Sequence, residues 1–269
     1  MNMKYLILLN FVLVLTSCQK KNSDLLGIDQ SMTHNREFYQ LKVYTFKTDA
    51  QVATTEKYLK EAFLPGLKKH GIKNIGVFKL RKKESDTIEQ IFVLIPFASL
   101  PQFLRLEDEL NKNNEYMSKG KDYINASHDR PPYHRIESTL MKAFEYMPMM
   151  KISPLNGPKS ERIYEMRSYE SATEKYYKSK VDMFNAGGEI KLFDRLGFNA
   201  VFYAEVISGS KMPNLVYMTT FENKASRDAH WKTFGDDPAW KEMKALPKYQ
   251  NTVSHADIFL LTPTEYSDY

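Results

Sequence analysis

The sequence predicts a mixed α+β protein made of two tandem ferredoxin-like (βαββαβ) domains. The segment Tyr-Gln-Leu-Lys-Val-Tyr at residues 39–44 returns as Tyr-Glu-Met-Arg-Ser-Tyr at residues 164–169. Each copy opens the same order of elements, which is strand, helix, strand, strand, helix, strand. A repeat as long as a whole domain indicates duplication of a domain rather than a solenoid array, whose units are much shorter.

The first half contains the four strands and two helices of one such unit. Gly71 stands where a glycine commonly ends a helix. Alternating apolar and polar residues predict strands, and apolar residues at helical spacing predict helices. The predicted elements in chain order are strand 37–46, helix 52–70, strand 74–80, strand 90–97, helix 101–116 and strand 136–146.

The second half repeats this order with a divided first helix. Gly187 and Gly188 are expected to interrupt that helix, and Gly197 repeats the role of Gly71. Ser226 is expected to cap the next helix, which runs through Trp231 toward Phe234 and is followed by a further helical piece after Pro238. The remaining elements are predicted as strand 162–169, helices 173–185 and 189–195, and strands 200–207, 215–221 and 256–261.

A unit of this kind carries helices on one face of its sheet and leaves the other face uncovered. Two units can cover each other by packing sheet against sheet in a barrel-like arrangement. The duplication suggests that this happens within one chain, but pairing of two chains as a homodimer is equally allowed. The predicted domains span 37–147 and 161–269, and a linker with three prolines and Gly157 spans 148–160.

The first residues are predicted to serve export. Lys4 precedes an apolar run over 5–15, and residues 1–17 read as a signal peptide that is too short to cross a bilayer. The tetrapeptide Leu15-Thr16-Ser17-Cys18 resembles the lipobox of bacterial lipoproteins. This resemblance implies an exported cell-envelope lipoprotein that is anchored to membrane lipid through acyl groups such as palmitate on Cys18, with residues 18–36 as a tether. An uncleaved anchor or a plain secretory signal is the alternative.

Composition excludes several kinds of site and partner. Removing residues 1–17 lowers the formal charge from +5 to +4, since 37 Lys and Arg then face 33 Asp and Glu. This mild charge does not indicate nucleic-acid binding. Cys18 is the single cysteine, so an intrachain disulfide or a thiolate metal cluster cannot form. The six histidines never stand at i, i+4 spacing, so we expect no dedicated metal site.

Several segments of the second half resemble the NIPSNAP family. They are Ile-Tyr-Glu-Met-Arg-Ser-Tyr at 163–169, Phe-Asn-Ala-Gly-Gly-Glu at 184–189, Met-Pro-Asn-Leu at 212–215, Ser-Arg-Asp-Ala-His-Trp at 226–231 and Asp-Pro-Ala-Trp at 237–240. The first half resembles the family only in its element order and its first strand. The resemblance implies the dimeric α/β-barrel superfamily, which also contains cofactor-free oxygenases and haem enzymes. It does not imply one established activity.

Alternation along the strand at 162–169 suggests a binding site. It places Glu165, Arg167 and Tyr169 on one face, which we expect to line the space between the sheets. An ion pair partly out of water could bind a carboxylate or phosphate. An internal salt bridge without a ligand is the alternative. The equivalent residues of the first half are Gln40 and Lys42, which lack the acid, so the second half is the better candidate.

Other side chains of the second half could join this site. His230 beside Trp231 could act as a base or as an axial ligand, but a capped amphipathic helix with Trp231 in the core explains the pair more simply. The hairpin could add Tyr203, Glu205 and Tyr217, although a register shift of one residue would reverse that assignment.

The sequence is compatible with two functions that belong to different classes. The first is a membrane-tethered binding or scaffold module whose inter-sheet cavity takes a small amphipathic molecule, with no cofactor and no complete set of catalytic groups. The second is a cofactor-free oxygenase or a haem-dependent oxidoreductase, which rests on analogy of fold.

Overall fold

The computed structural model describes residues 36–81 and 89–269. The expected signal peptide, Cys18 and the tether up to residue 35 lie outside the described residues, as does the charged segment 82–88. Among the described helices, none combines the length and the apolar character needed to cross a membrane.

Eight strands in the described ranges form a closed antiparallel barrel. Their order around the barrel is β1-β3-β2-β8-β5-β7-β6-β4. The strands are β1 (Phe38–Phe46), β2 (Gly76–Leu80), β3 (Glu89–Phe97), β4 (Arg135–Ala143), β5 (Ile163–Glu170), β6 (Ala200–Ser208), β7 (Asn214–Phe221) and β8 (His255–Pro263).

The two halves of the chain meet at two seams of this barrel. At one seam β2 pairs with β8 over three residues, with Lys79 opposite Thr262. At the other seam β4 pairs with β6, with Met141 opposite Val206. Both seams are formed within one chain, so the two halves cover each other as predicted. The prediction was wrong about how they do so: the strand edges of the two halves are hydrogen-bonded to each other, and two separate sheets are not stacked face to face.

Helices surround the barrel on the outside. Nine α-helices occur in the described part of the chain, and a π-helical turn at Leu59–Phe63 joins the first two while a 3₁₀ turn at Pro247–Tyr249 follows the last. The α-helices are α1 (Asp49–Tyr58), α2 (Leu64–Lys69), α3 (Leu100–Asn111), α4 (Asn114–Lys119), α5 (Lys121–Ile124), α6 (Glu174–Phe184), α7 (Glu189–Arg195), α8 (Lys224–Asp236) and α9 (Pro238–Ala245).

Glycines end helices at the expected positions in both halves. Gly71 and Gly197 have φ values of 78° and 73°, in the left-handed region that a side chain disfavours. The amide of the following residue bonds back into the helix in each case, from Ile72 to the Leu67 carbonyl and from Phe198 to the Phe193 carbonyl. Gly188, at φ 95°, separates α6 from α7 as predicted.

Two predicted helix boundaries were wrong, because the side chain that caps the start of the helix belongs to a different residue from the one expected. The predicted helix 101–116 is divided, since Asn113 Oδ1 accepts hydrogen bonds from the amides of Glu115 and Tyr116 and starts α4. Ser226 is not the cap of α8. Asn223 is, and its Oδ1 accepts from the Ser226 amide at 2.9 Å.

Apolar side chains fill most of the barrel interior. The Tyr39 and Phe202 rings meet edge to face with centroids 5.3 Å apart. The buried Tyr269 ring enters the same core and lies 6.0 Å from the Tyr164 centroid, and its hydroxyl contacts Met150 Sδ at 3.0 Å. Two further apolar clusters lie outside the barrel, between the sheet and the helices of each half.

Candidate functional site

The side chains of Glu165, Arg167 and Tyr169 lie together, but outside the barrel. Their even-numbered neighbours Tyr164 and Met166 point into the barrel core, so the odd-numbered residues face helix α8 and the other helices of the second half. The prediction that they line the inter-sheet space was therefore wrong. Alternation shows which residues share a face, but here both faces are buried, and nothing in the pattern shows which one points inward.

The Glu165 carboxylate is completely buried and surrounded by donors. Arg167 Nε and Nη2 approach Oε1 at 2.7 and 2.6 Å. From α8, Arg227 donates through Nε to Oε2 at 2.6 Å and through Nη2 to Oε1 at 3.0 Å, and Trp231 Nε1 donates to Oε2 at 2.8 Å. Burial alone would raise the pKa of Glu165, but the hydrogen bonds from Arg227 and Trp231 and the charge of Arg167 together lower it.

The other groups of Arg167 are also occupied. Its guanidinium lies over the Trp231 ring, with Cζ 3.6 Å from the centroid. Its Nη1 donates to the Tyr169 hydroxyl at 2.9 Å, and that hydroxyl lies 2.9 Å from the Tyr217 hydroxyl. The arrangement matches the alternative that the sequence left open, an internal ion pair that is satisfied within the protein.

Tyr203 and His230, which were also predicted for the site, lie between the barrel and the helices of the second half. Tyr203 stacks on Tyr217 with centroids 5.7 Å apart. His230 is packed against Phe198 and Phe221, and its Nδ1 lies 2.7 Å from the Ser226 carbonyl oxygen.

Glu205 is the exception among the predicted site residues. Its carboxylate contacts Arg36 Nη2 and accepts a hydrogen bond from the Tyr177 hydroxyl at 3.3 Å. The structure therefore does not bring Glu205 into contact with the Glu165 group.

A second buried ion pair helps to fill the same layer. Lys180 Nζ donates to Glu189 Oε2 at 2.8 Å, and the two side chains are 5% and 3% exposed. Burial raises the pKa of Glu189, although the charge of Lys180 opposes this. Lys180 also lies over the Phe184 ring at 4.6 Å. This pair could not be predicted from the sequence, because the two residues belong to separate helices.

The first half has an open cavity in the equivalent layer. A space of about 1060 Å³ lies between strand β1 and the helices and loop that cover it. Gln40 and Lys42 of β1 face this space and occupy the positions that Glu165 and Arg167 occupy in β5. The opposite walls include Phe103 and Leu104 of α3 and the loop that leads to β4.

Five tyrosines, here called the tyrosine cluster, form one end of this cavity and the core behind it: Tyr44, Tyr58, Tyr116, Tyr123 and Tyr133. The Tyr58 and Tyr116 hydroxyls are 2.8 Å apart, and the Tyr58 and Tyr123 rings stack at 3.8 Å. The Tyr44 hydroxyl is buried near Tyr123 but has no partner of good hydrogen-bond geometry in the described ranges. Burial raises the pKa of Tyr58, Tyr116 and Tyr123, so these phenols stay protonated and can donate hydrogen bonds.

The charges that line the cavity are mainly positive. Lys42 Nζ lies 5.1 Å from the Phe63 ring centroid and makes no salt bridge with a residue that the structure describes. Lys47 and Arg135 also line the cavity and face Glu107. The cavity therefore suits a ligand that carries negative charge. The site has no local pattern in the sequence, because its tyrosines are scattered over some 90 residues, and the high tyrosine content was the one available signal.

One group of possible metal ligands occurs in the described part of the chain. Suitable atoms of Glu170, His255 and Asp257 lie within 4.8 Å of one another. Lys211 forms an ion pair with Asp257 and lies 3.9 Å from Glu170, so an ammonium already supplies the positive charge at this position. The group gives no support to a metal site.

Comparison with known proteins confirms the resemblance of the second half. Residues 164–268 match the NIPSNAP family, which covers less than half of the chain. No curated protein is similar enough in sequence to count as a relative.

Several solved structures resemble the chain. A candidate monooxygenase from Fusobacterium nucleatum is 8% identical with a TM-score of 0.54, covering 86% of this chain and 93% of that one. One from Lactobacillus acidophilus is 8% identical with a TM-score of 0.53, covering 85% and 94%. A NIPSNAP family protein from Agrobacterium tumefaciens is 19% identical over 44% of this chain and 96% of its own, with a TM-score of 0.35. Identities this low show the shared fold alone.

Removing the charge of Glu165 should cause a large loss of stability. Replacing Glu165 with Gln leaves the buried Arg167 without its counter-charge and Arg227 with Asp228 alone, so we expect the free energy of unfolding at pH 7 to fall by about 3–5 kcal/mol. Urea denaturation measures this change. The matched control is Glu205→Gln, whose ion pair with Arg36 is partly exposed and should contribute only about 0–1 kcal/mol.

The same variant should have an altered dependence of stability on pH. Because the pKa of Glu165 is lowered in the folded state, its contribution is fully present above the unfolded-state pKa of about 4.3 and is lost as the pH falls through the lower folded-state value. The deficit of Glu165→Gln should therefore shrink as the pH is lowered from about 5 toward about 2. A deficit that stays constant over this range would contradict the assignment.

Proposed function

We propose that the protein binds a small amphipathic molecule in the cavity of its first half. The observation that carries this proposal is a space of about 1060 Å³ that is lined by aromatic rings, phenolic donors and the unpaired ammonium of Lys42. Ligand sites are typically concave and largely apolar, with a few polar groups that fix orientation, and their volume is about 300–1,000 Å³. The cavity has about this volume, and its aromatic rings stand among a larger share of polar groups.

The chemistry of the walls defines the class of ligand. Protonated phenols donate hydrogen bonds, and Lys42 supplies a positive charge, so both favour carbonyl, phenolate or carboxylate oxygens on the ligand. The rings of Tyr58, Phe63 and Phe103 favour a flat apolar body. We therefore expect an aromatic molecule with an anionic or strongly accepting group, and we expect organic cations to bind poorly here.

Titration with three naphthalene compounds tests this proposal. Isothermal titration calorimetry should show that 2-naphthoate binds more tightly than 2-naphthol and that 2-naphthylmethylammonium binds weakest. Lys42→Met should weaken naphthoate binding about tenfold, which corresponds to about 1.4 kcal/mol, and should leave naphthol nearly unaffected. Lys232→Met is the matched control, because Lys232 is 80% exposed and lies on α8 away from the cavity.

Two results would contradict the proposal. One is equal affinity for the three compounds, and the other is unchanged naphthoate affinity in a folded Lys42→Met variant. Native mass spectrometry of the purified protein adds a test without chosen probes, since a co-purifying molecule of the proposed class should be reduced in Lys42→Met.

A second function for the same cavity is that of a cofactor-free oxygenase. Its support is the fold shared with proteins described as monooxygenases, together with His134 at the cavity wall. Partial burial, Lys47 and Arg135 lower the pKa of His134, so its imidazole is neutral at pH 7 and able to accept a proton from a substrate. Oxygen would then convert a CH₂ group of the substrate to a carbonyl and release water.

An oxygen electrode distinguishes the two functions. An oxygenase should consume oxygen with electron-rich aromatic substrates that contain an acidic CH₂ group, and His134→Gln should lower the rate about 10²-fold or more without changing substrate affinity. His128→Gln is the matched control, because His128 also lines the cavity. Absence of oxygen consumption with substrates that bind would leave the binding function alone.

The surroundings of His230 do not fit an axial haem ligand. The ring is packed against Phe198 and Phe221, and its Nδ1 already contacts a backbone carbonyl. A haem would have to displace these aromatic side chains. We therefore assign His230 to the packing of α8, where Trp231 donates a hydrogen bond to Glu165.

We further infer that each half is a ferredoxin-like unit and that the protein is an exported lipoprotein. The orders β4-β1-β3-β2 and β8-β5-β7-β6 within the barrel support two units of the βαββαβ type. The lipobox-like Leu15-Thr16-Ser17-Cys18 supports acylation of Cys18 and membrane tethering of the binding domain. Association of two chains as a homodimer remains a prediction.

Metabolic labelling tests the anchor directly. Cells that express the chain should incorporate palmitate into it, and Cys18→Ser should abolish this labelling. Since Cys18 is the single cysteine, Ser17→Ala serves as a matched control that keeps the thiol. Equal labelling of the wild-type and Cys18→Ser proteins, or none in either, would contradict the lipoprotein assignment.

A further inference from the structure

The barrel interior is not completely filled at one end. A pocket of about 210 Å³ opens there, at the start of strands β3, β4, β7 and β8, and it is separate from the cavity of the first half. We call it the barrel-mouth pocket. Its floor includes Phe92, Met166 and Phe259, and its rim includes Glu137, Lys211 and Asp257.

A buried polar group in this pocket lacks a partner. Asn214 is 4% exposed and lines the pocket. Its Nδ2 donates to Ser168 Oγ at 2.9 Å, while its Oδ1 has no hydrogen-bond partner among the residues that the structure describes. Ser168 can pair with only one end of the amide, so the other end is unpaired in either orientation. A buried polar atom without a partner is destabilising, which makes Asn214 a strong attachment point for a complementary group.

The described charges of the pocket favour a cation. Lys211 forms an ion pair with Asp257 on the rim, and the pKa of Lys211 is raised chiefly by this contact and further by Glu170 and Glu137. One lysine thus faces two carboxylates among the described residues that line the pocket, and Glu137 makes no salt bridge with a described residue. The excess charge at the opening is negative, opposite in sign to that of the first-half cavity.

We propose that the barrel-mouth pocket binds a small primary ammonium compound with a short apolar body. The charge of the ammonium would be balanced by Glu137, and rotation of the Asn214 side chain toward the pocket would let its buried Oδ1 accept a hydrogen bond from an ammonium N–H. The alkyl part would contact Phe92 and Phe259, whose rings also attract a cation. At about 30 Å³ per water molecule the pocket has room for roughly seven waters, which suits an amine of about four to six carbons.

Three four-carbon compounds of matched size test the proposal by calorimetry on the full chain: n-butylammonium, n-butanol and butyrate. We expect saturable millimolar binding of n-butylammonium, binding of n-butanol at least about tenfold weaker, and no binding of butyrate. Glu137→Gln should weaken n-butylammonium binding several-fold. Glu265→Gln is the matched control, since Glu265 is exposed and does not line the pocket. Lys42→Met should also have no effect, which separates this site from the first-half cavity.

The direct variant is Asn214→Leu, which fills the polar end and should abolish binding of n-butylammonium. Because this change also removes the bond to Ser168, its fold is checked by circular dichroism, and Glu137→Gln remains decisive if the variant does not fold. Equal binding of the three compounds, or unchanged binding in Glu137→Gln, would overturn the proposal. Failure of n-butylammonium to bind at millimolar concentration would overturn it as well.

Discussion

Closure of the barrel is the constraint on which the other features depend. The seams at β2–β8 and β4–β6 pair the strand edges of the two halves, so the described strands form a continuous hydrogen-bonded ring. Closure turns Tyr164 and Met166 inward, and the opening at the barrel mouth is small. Large ligands must therefore be accommodated outside the barrel, between the sheet and the helices.

The two helix layers use equivalent strand positions in opposite ways. In the second half, Glu165 binds Arg167 and also Arg227 and Trp231 of α8, which joins the helix to the sheet. In the first half, Gln40 bonds instead to Ser138 on the neighbouring strand β4, and Lys42 lies among rings without a carboxylate. Without a central acid, Gln40 and Lys42 make no ion pair with a described helix, and the cavity lies at these positions.

Much of the fold could be predicted from the sequence, because its signals are local. Alternation and the glycines at 71, 188 and 197 predicted strands and helix ends within a few residues. Strand alternation also grouped Glu165 with Arg167, and Trp231 was a further candidate for the same site, although the site was assigned to the wrong face of the sheet. The cavity could not be predicted, since a vacancy depends on how distant side chains such as Tyr58, Tyr116 and Tyr133 pack, and none of them forms a local pattern.

The filled layer of the second half has a consequence for stoichiometry. A protein of two like halves would ordinarily offer two equivalent sites, and occupation of one could alter the affinity of the other. Here the ion pairs of Glu165 and Lys180 occupy one of the two equivalent spaces. On the proposed function, each chain should therefore bind a single anionic ligand, with a simple hyperbolic saturation curve and no cooperativity between the duplicated halves.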